Sequence, residues 1–460
     1  LTVNPLIYEV IVPIENYIHS HLDDSIAELI RYCAIPTITA KKQAQPEGAE
    51  FVAELLRARG FHVEIIPSGG APVVFAERKG KLDKTLLFYN HYDVQPEEPL
   101  ELWDSPPFEA TLRDGHLYAR GVSDDKGHLT HRLLAIDAIL ARDGELPCTI
   151  KFLVEGEEEV GSTHIEPVLR DHAQKFAADA CIWEFGGINH LEQPSQSLGM
   201  RGLAYFELSV DLLSVDVHSG LGGSIFPNAA WRLVWALNTL KGTDGRIRLP
   251  GFYDRVKPYS ERDRELFAAL PPVVDELKSR FGVKEFLRGM TDELEIQLAA
   301  VFEPTCTICG LTSGYQGPGS KTVLPAKASA KVDFRLVPDQ DPAEVAKQLR
   351  AHLDAEGFSD VQITQLGGIK PARTDPDNPF VKLVVDAAAQ VYDQPMEIVP
   401  MIGGSGPNHA FIHYLNVPIA TSGIGHPGSN AHAPNENIRL DLYELGARHA
   451  AKIIEMFGKE

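Results

Sequence analysis

His91 and Asp93 stand in the segment Tyr89-Asn90-His91-Tyr92-Asp93-Val94, just after the unbroken apolar run Thr85-Leu-Leu-Phe-Tyr89. In open α/β sheets ligands gather beyond the carboxyl ends of strands, so both side chains lie where chemistry is expected. A His-x-Asp pair alone fits a loop histidine hydrogen-bonded by its neighbour equally well. Asp124 and Asp125 precede a helical pattern, within Ala119-Arg120-Gly121-Val122-Ser123-Asp124-Asp125-Lys126-Gly127. They either complement the helix dipole or offer hard oxygen ligands to a divalent cation. Glu155, Glu157, Glu158 and Glu159 follow the strand-like stretch that ends at Val154. Packed so closely, these carboxylates repel one another unless they are solvated or neutralised by a cation. Glu184 follows the apolar Ala180-Cys-Ile-Trp183, and His426 and His432 lie in a Gly- and Pro-rich loop after Val417-Pro-Ile-Ala420.

Apolar segments that repeatedly end on acids or imidazoles point to one shared site. Two imidazoles and at least three carboxylates form a mixed nitrogen and oxygen donor set, which suits Zn²⁺, Mn²⁺ or Co²⁺ better than Ca²⁺ or a thiolate site. The economical reading is a two-metal hydrolytic centre. One carboxylate bridges ions ~3.5 to 4 Å apart, a bridging water ionises near neutral pH, and a carboxylate left off the metals serves as general base.

Helices and strands in alternation must position these residues. Helical spacing marks residues 22–33 and 47–59, and the stripe Leu129, Leu133, Ile136, Leu140 marks another helix. Strand patterns mark 62–66, 85–89 and 149–154, which implies an α/β layer with a largely parallel sheet. From about residue 203 the texture changes. Leu203 to Leu212 alternates, Pro227 opens a helix, a charged helical stretch spans roughly 259–300, Ala328 to Leu336 alternates again, and 342–353 is helical. Strands with helices on one face suggest an inserted α+β unit. The Pro- and Asp-rich segment 370–379 returns the chain to its first domain, where Phe380 to Tyr392 is helical. The expected organisation is a discontinuous metal-binding catalytic domain, 1–202 and 373–460, with an inserted domain at 203–372.

Composition bounds the partners. The 460 residues suffice for about two to four folding units, and 44% hydrophobic with 23% charged residues describes an ordinary globular chain. A net charge of −21 repels phosphate backbones and anionic lipid, so neither nucleic acid nor membrane is expected as a partner. Five scattered cysteines fit a reducing compartment, and the cytoplasm is the expected location. The first thirty residues, with Glu9, Glu15, Asp23 and Asp24, lack signal-peptide order, while a start at Leu1 leaves room for a removed N-terminal piece.

The ordered motifs Asn90-His91-Tyr92-Asp93-Val94-Gln95-Pro96, Arg120 to Gly127, Glu155-Gly156-Glu157-Glu158-Glu159-Val160-Gly161-Ser162, Asp216-Val217-His218-Ser219-Gly220 and Asn430-Ala431-His432 resemble the aminoacylase/carnosinase-type dinuclear metallopeptidases. The resemblance covers essentially the whole chain. Lys321-Thr-Val-Leu-Pro325 and Phe334-Arg335-Leu-Val-Pro338 match further signatures of the cytosolic, non-specific dipeptidase branch. It implies a zinc-exopeptidase-like fold, a mostly parallel sheet sandwiched by helices, whose inserted domain serves as lid and homodimer surface. Carried over by position, Asp124 bridges two divalent ions, His91 and Glu184 complete one shell, and Glu159 and His432 complete the other. Zinc is the first expectation, with manganese or cobalt as alternatives. Glu158, aligned from Gly161-Ser162, is the implied general base, and Asp93 fixes the His91 ring. The peptide after Asp124 is implied to be cis. His218 is implied to reach the partner subunit's site and stabilise the oxyanion. Arg335 would grip the substrate's terminal carboxylate, with Gly404 and Ser405 adding donors.

The implied reaction is hydrolysis of an amide next to a free carboxylate in dipeptides or short peptides. An N-acyl-amino-acid deacylase of the acetylornithine or succinyl-diaminopimelate type is the alternative on the same fold. A metal-containing peptide-binding protein without turnover is the alternative of another class, and the intact Glu158 argues against it. Cys306-Thr-Ile-Cys309 has redox spacing but lies in a strand pattern that turns the thiols to opposite faces. Trp231 and Trp235, four apart, read as packing or dimer contacts and not as a base-stacking platform.

Overall fold

The alternating stretch at 62–66 forms β1 (His62–Ile66), which pairs antiparallel with β2 (Val73–Arg78), a strand the sequence pattern did not single out. In the computed structural model, which describes residues 12–459, three long apolar runs follow as β3 (Leu82–His91), β4 (Cys148–Glu155) and β5 (Ala180–Trp183). With the late strand Ile419–Thr421 they form a sheet in the order β1, β2, β4, β3, β5 and Ile419–Thr421. Strand β3 runs parallel to both β4 and β5, and β5 runs parallel to the late strand Ile419–Thr421. The pairings of β1 with β2 and of β2 with β4 are antiparallel. Glu9, part of the argument against a leader, lies outside the described residues.

Both faces of this sheet are covered, which is why residues 85–89 of β3 read as an unbroken apolar run. Leu86 and Phe88 point to one side with Phe152 and Val154, beneath the helices Gln45–Ala58, Gly127–Asp143 and Leu440–Phe457. Leu87 and Tyr89 point to the other with Leu153, Trp183, Val168 and Phe411.

The chain divides into two units: Leu1–Leu198 with Thr374–Val399 and Ala410–Glu460, and Gly199–Arg373 with Pro400–His409. Residues 400–409, assigned by the sequence pattern to the flanking domain, group with the inserted unit. That unit is built on an antiparallel sheet of β6 (Gly202–Asp211), β7 (Thr305–Ser313), β8 (Lys327–Leu336) and β9 (Gln362–Ile369), in the order β7, β8, β6, β9. Ala204, Phe206, Leu208 and Val210 of β6 face Leu233, Leu237, Val345 and Leu349 from the helices Ala229–Leu240 and Pro342–Ala355.

Some local expectations shift. Pro227 precedes the helix, whose cap is Asn228, the side chain accepting Trp231 N–H at 3.1 Å. The charged stretch is not continuous. Pro271 and Pro272 and the left-handed Gly282 break it into Glu261–Ala269, Val274–Phe281 and Glu293–Phe302. The helix from Pro379 ends at Ala388, short of Tyr392. Cys306 is buried and Cys309 exposed, on opposite faces of β7. Among the described residues no helix is long and apolar enough to cross a membrane.

Candidate metal centre

Parallel pairing of β3 with β4 and β5 puts the three C-terminal ends on one rim, carrying His91, Glu155 and, one residue beyond β5, Glu184. Asp124 lies in the turn Val122–Lys126 that feeds the helix Gly127–Asp143, its backbone extended at φ −126° and ψ 88°. The Asp124–Asp125 peptide is cis. Glu158 and Glu159 open a single turn of 3₁₀ helix directly after β4. His432 sits at φ +62° in a loop braced by Asn437, whose side chain donates to the Gly428 and Asn435 carbonyls at 2.8 and 3.1 Å.

The structure brings five of these side chains together. His91 Nε2 lies 2.9 Å from Asp124 Oδ1, and His432 Nε2 lies 2.9 Å from Asp124 Oδ2 and 3.1 Å from Glu159 Oε2. Asp124, Glu159 and His432 each offer a ligand atom within 4.8 Å of the others. Each oxygen of Asp124 thus faces a different imidazole, the disposition of a bridging carboxylate. Glu184 is buried in the field of Glu158, His91, Asp125 and Asp124, and its Oε2 has no hydrogen-bond partner. An orphaned buried carboxylate oxygen fits a cation ligand, because leaving it unpaired is otherwise expensive.

The Asp93 carboxylate lies against the His91 ring, its Oδ1 3.4 Å from Nδ1. The His91 Nδ1–H points to the backbone carbonyl of Asp93 at 3.1 Å, while the Asp93 carboxylate accepts the backbone N–H groups of Glu158 and Glu159 at 3.2 and 3.1 Å. One residue therefore anchors both the His91 ring and the Glu158–Val160 turn. Gln95 donates to Glu159 Oε2 at 2.8 Å.

Electrostatics follow from crowding in a buried place. Burial alone would raise Asp124, yet hydrogen bonds from His432 and His91 hold it far below the usual carboxylate range. Burial opposes protonation of His91, but Asp124 and Asp93 hold its pKa well above normal. Hydrogen bonds to Asp124 and Glu159 push His432 up to about 10. Burial pushes Glu158 well above the carboxylate range, opposed by His91 and reinforced by Asp124 and Glu159. The carboxylates demand positive charge, and divalent cations meet that demand by displacing protons from the imidazoles.

The other candidates belong to the second unit. Arg335 Nη1 donates to Ser405 Oγ at 2.9 Å, which leaves the hydroxyl proton free to donate onward, and the Gly404 carbonyl accepts the Arg201 N–H at 2.9 Å. His218 is exposed and its Nδ1 accepts the Gly220 N–H at 3.0 Å, so the neutral ring carries its proton on Nε2. Trp231 and Trp235 stack on each other at 5.8 Å, and both are exposed.

Sequence reasoning passed over two buried positions at the first site. Glu436 accepts backbone N–H groups from Gly121, Ser123 and Asp124, and Arg132 donates to three strand ends. The proximity of Glu436 to His432 in the chain was the available signal for the first. Arg132, inside an amphipathic helix, gave none.

The family model described as Peptidase family M20/M25/M40 matches residues 87–456. The Beta-Ala-His dipeptidase of Mus musculus is 30% identical over 77% of this chain and 77% of its own length. Among solved structures, the M20 family metallo-carboxypeptidase Sso-CP2 from Sulfolobus solfataricus superposes with a TM-score of 0.91 at 37% identity, covering 95% of this chain and 100% of that one. The di-peptidase Dug1p from Saccharomyces cerevisiae superposes with a TM-score of 0.83 at 25% identity, covering 97% and 98%.

Proposed function

The chain belongs to peptidase family M20/M25/M40 and is a metallopeptidase, and from that premise we propose that it is a dinuclear dipeptidase, cleaving the amide next to a free carboxylate in dipeptides and short peptides. The relatives named Beta-Ala-His dipeptidase and Cys-Gly metallodipeptidase support this substrate class. The observation that carries it is Asp124, whose two oxygens each meet a separate imidazole at 2.9 Å.

His91, Glu184 and Asp124 would hold one ion, and Glu159, His432 and Asp124 would hold the other. When bound, the pair supplies Lewis acidity to the scissile carbonyl and lowers the pKa of the attacking water. Glu158 takes the proton from that water and returns it to the leaving amine. Its burial suits this role, because desolvation gives the carboxylate a higher proton affinity than an exposed one. Arg335 and Ser405 take the substrate's terminal carboxylate, with Gly404 shaping the same loop. His218 presents its Nε2–H to the oxyanion in the partner subunit's site. Zinc is the proposed metal, since mixed N/O sites bind it more tightly than manganese at equal availability.

A homodimer through the inserted unit is supported by its exposed apolar face. Trp231, Val234 and Trp235 are exposed on the helix beside β7, an edge strand that exposes Ile308 and Leu311. The five free thiols support a cytoplasmic location.

Turnover of a dipeptide panel against N-acetyl and N-succinyl amino acids, with added Zn²⁺ or Mn²⁺, tests the proposal. Dipeptides should be cleaved with the higher kcat/KM. Turnover confined to the acylated amino acids overturns the dipeptidase assignment in favour of a deacylase.

A further inference from the structure

Arg132 is fully buried on the helix Gly127–Asp143. Its Nη1 donates to the Tyr89 carbonyl at 3.0 Å and to Asn90 Oδ1 at 2.8 Å. Its Nη2 donates to the carbonyls of Trp183, of Glu184 at 3.1 Å and of Ser422 at 3.2 Å. These acceptors lie at the C-terminal ends of three strands. The sheet itself stops short of them: β3 pairs with β5 only as far as Phe88 and Ile182, and β5 pairs with the late strand only as far as Trp183 and Thr421. Beyond that register the strands separate, and the guanidinium satisfies the carbonyls that the ladder no longer reaches. A planar fork with parallel donors suits such a gap, whereas an ammonium does not span it.

We propose that Arg132 is a positioning residue for one ion of the pair, setting the separation of His91 and Glu184 by tying the residues before His91 to the backbone of Glu184. On the β4 side, His91 is also fixed by the ladder, which runs on to the His91 and Glu155 pair. Glu184 has no such ladder. Arg132 also reaches toward the bridging residue, because Asn90 Nδ2 donates to Asp125 Oδ2 at 2.6 Å. The other half of the centre is held by different groups. Glu159 is fixed through Asp93 and Gln95, and His432 by its own loop. Loss of the guanidinium therefore weakens the ion at His91 and Glu184 in preference to the ion at Glu159 and His432.

This inference rests on the two-ion reading above. The test titrates metal-stripped full-length protein with Zn²⁺ and with Mn²⁺ by calorimetry, with circular dichroism checking the fold. Wild type should take two equivalents, and fewer than two would defeat the two-ion reading itself. Arg132→Lys should keep one site near wild-type affinity and weaken the other by at least about tenfold. Added to His91→Ala it should produce little further loss, whereas added to His432→Ala it should weaken the remaining ion. Two sites of unaltered affinity, or equal loss at both in a folded variant, overturn the proposal. Asn90→Ala removes one of the five bonds, together with the Asn90 bond to Asp125, and keeps the guanidinium, so it replaces the lysine variant if that protein does not fold. It should show the same preference at smaller size, and unaltered affinities at both sites in it overturn the proposal.

Discussion

Glu436 Oε1 accepts the backbone N–H of Asp124 at 2.9 Å, so Asp124 is held from behind by a second carboxylate. The same oxygen takes the Ser123 N–H at 2.9 Å, and Oε2 takes the Gly121 N–H at 2.9 Å and Arg120 Nη1 at 2.8 Å. Both partners of this ion pair are 1% exposed, which makes it a buried pair whose halves depend on each other. Glu436→Gln leaves Arg120 charged and unpaired, and should lower stability by roughly 3 to 5 kcal/mol. With Asp124 shared by both ions as proposed, metal affinity should fall at both sites together. Chemical denaturation and metal titration of the variant read the two effects, and wild-type values in both would remove Glu436 from this role.

Glu158 is the carboxylate left for proton transfer once Asp124, Glu159 and Glu184 are taken as ligands. Glu158→Gln keeps the turn, whose backbone is fixed by Asp93, and loses only the proton acceptor. Metal content by elemental analysis should stay at the wild-type level, while kcat falls at least ~10²-fold. Unchanged turnover would take the base role away from this residue.

The rim of the metal centre was legible because chemistry interrupts hydrophobicity there. Apolar runs that end on His91, Glu155 and Glu184 announce both buried parallel strands and what lies at their ends. Periodicity says nothing about groups that act from the interior. Arg132 lies on a helix that is buried on nearly every side, where a pattern reading places apolar residues and expects a cation only at the surface. β2 escaped notice because its short run Val73–Arg78 sits between Pro72 and charged residues, without the alternation that marked β1. That Asp93 meets the His91 ring with both its carbonyl and its carboxylate, while the same carboxylate takes the Glu158 and Glu159 N–H groups, depends on coordinates that no spacing encodes.

The proposed dimer and its shared site can be separated by experiment. Trp231→Glu with Trp235→Glu places two charges on the exposed stacked pair and should shift the protein from dimer to monomer in sedimentation velocity, with little change in the fold of each chain. His218→Ala and Arg335→Ala should each lower kcat/KM when homodimeric. Mixing the two should restore part of the activity through hybrid dimers if one site takes these residues from different chains. No restoration on mixing would place both residues in the service of the same chain's site.

Acid should act on stability through histidines buried in the neutral form. His449 is 1% exposed, its Nε2–H pointing to the Val384 carbonyl at 3.1 Å and its Nδ1 accepting from Ser422 Oγ at 2.9 Å. Burial pulls its pKa down to about 4. The unfolded chain takes up a proton at an ordinary histidine pKa of about 6.5, while the folded chain refuses it until about 4. Stability is therefore unaffected by this group above about pH 6.5, falls as pH drops from there to about 4, and levels off below. The full effect of such a shift is roughly 3 kcal/mol. His128, held near 4 by burial, shifts stability in the same direction but is present in both proteins of a paired comparison. Urea denaturation of wild type and His449→Gln at steps between pH 7 and pH 4 isolates the His449 contribution. Wild type should lose roughly 3 kcal/mol more than the variant over that range, and parallel losses would show that His449 is not the group that titrates.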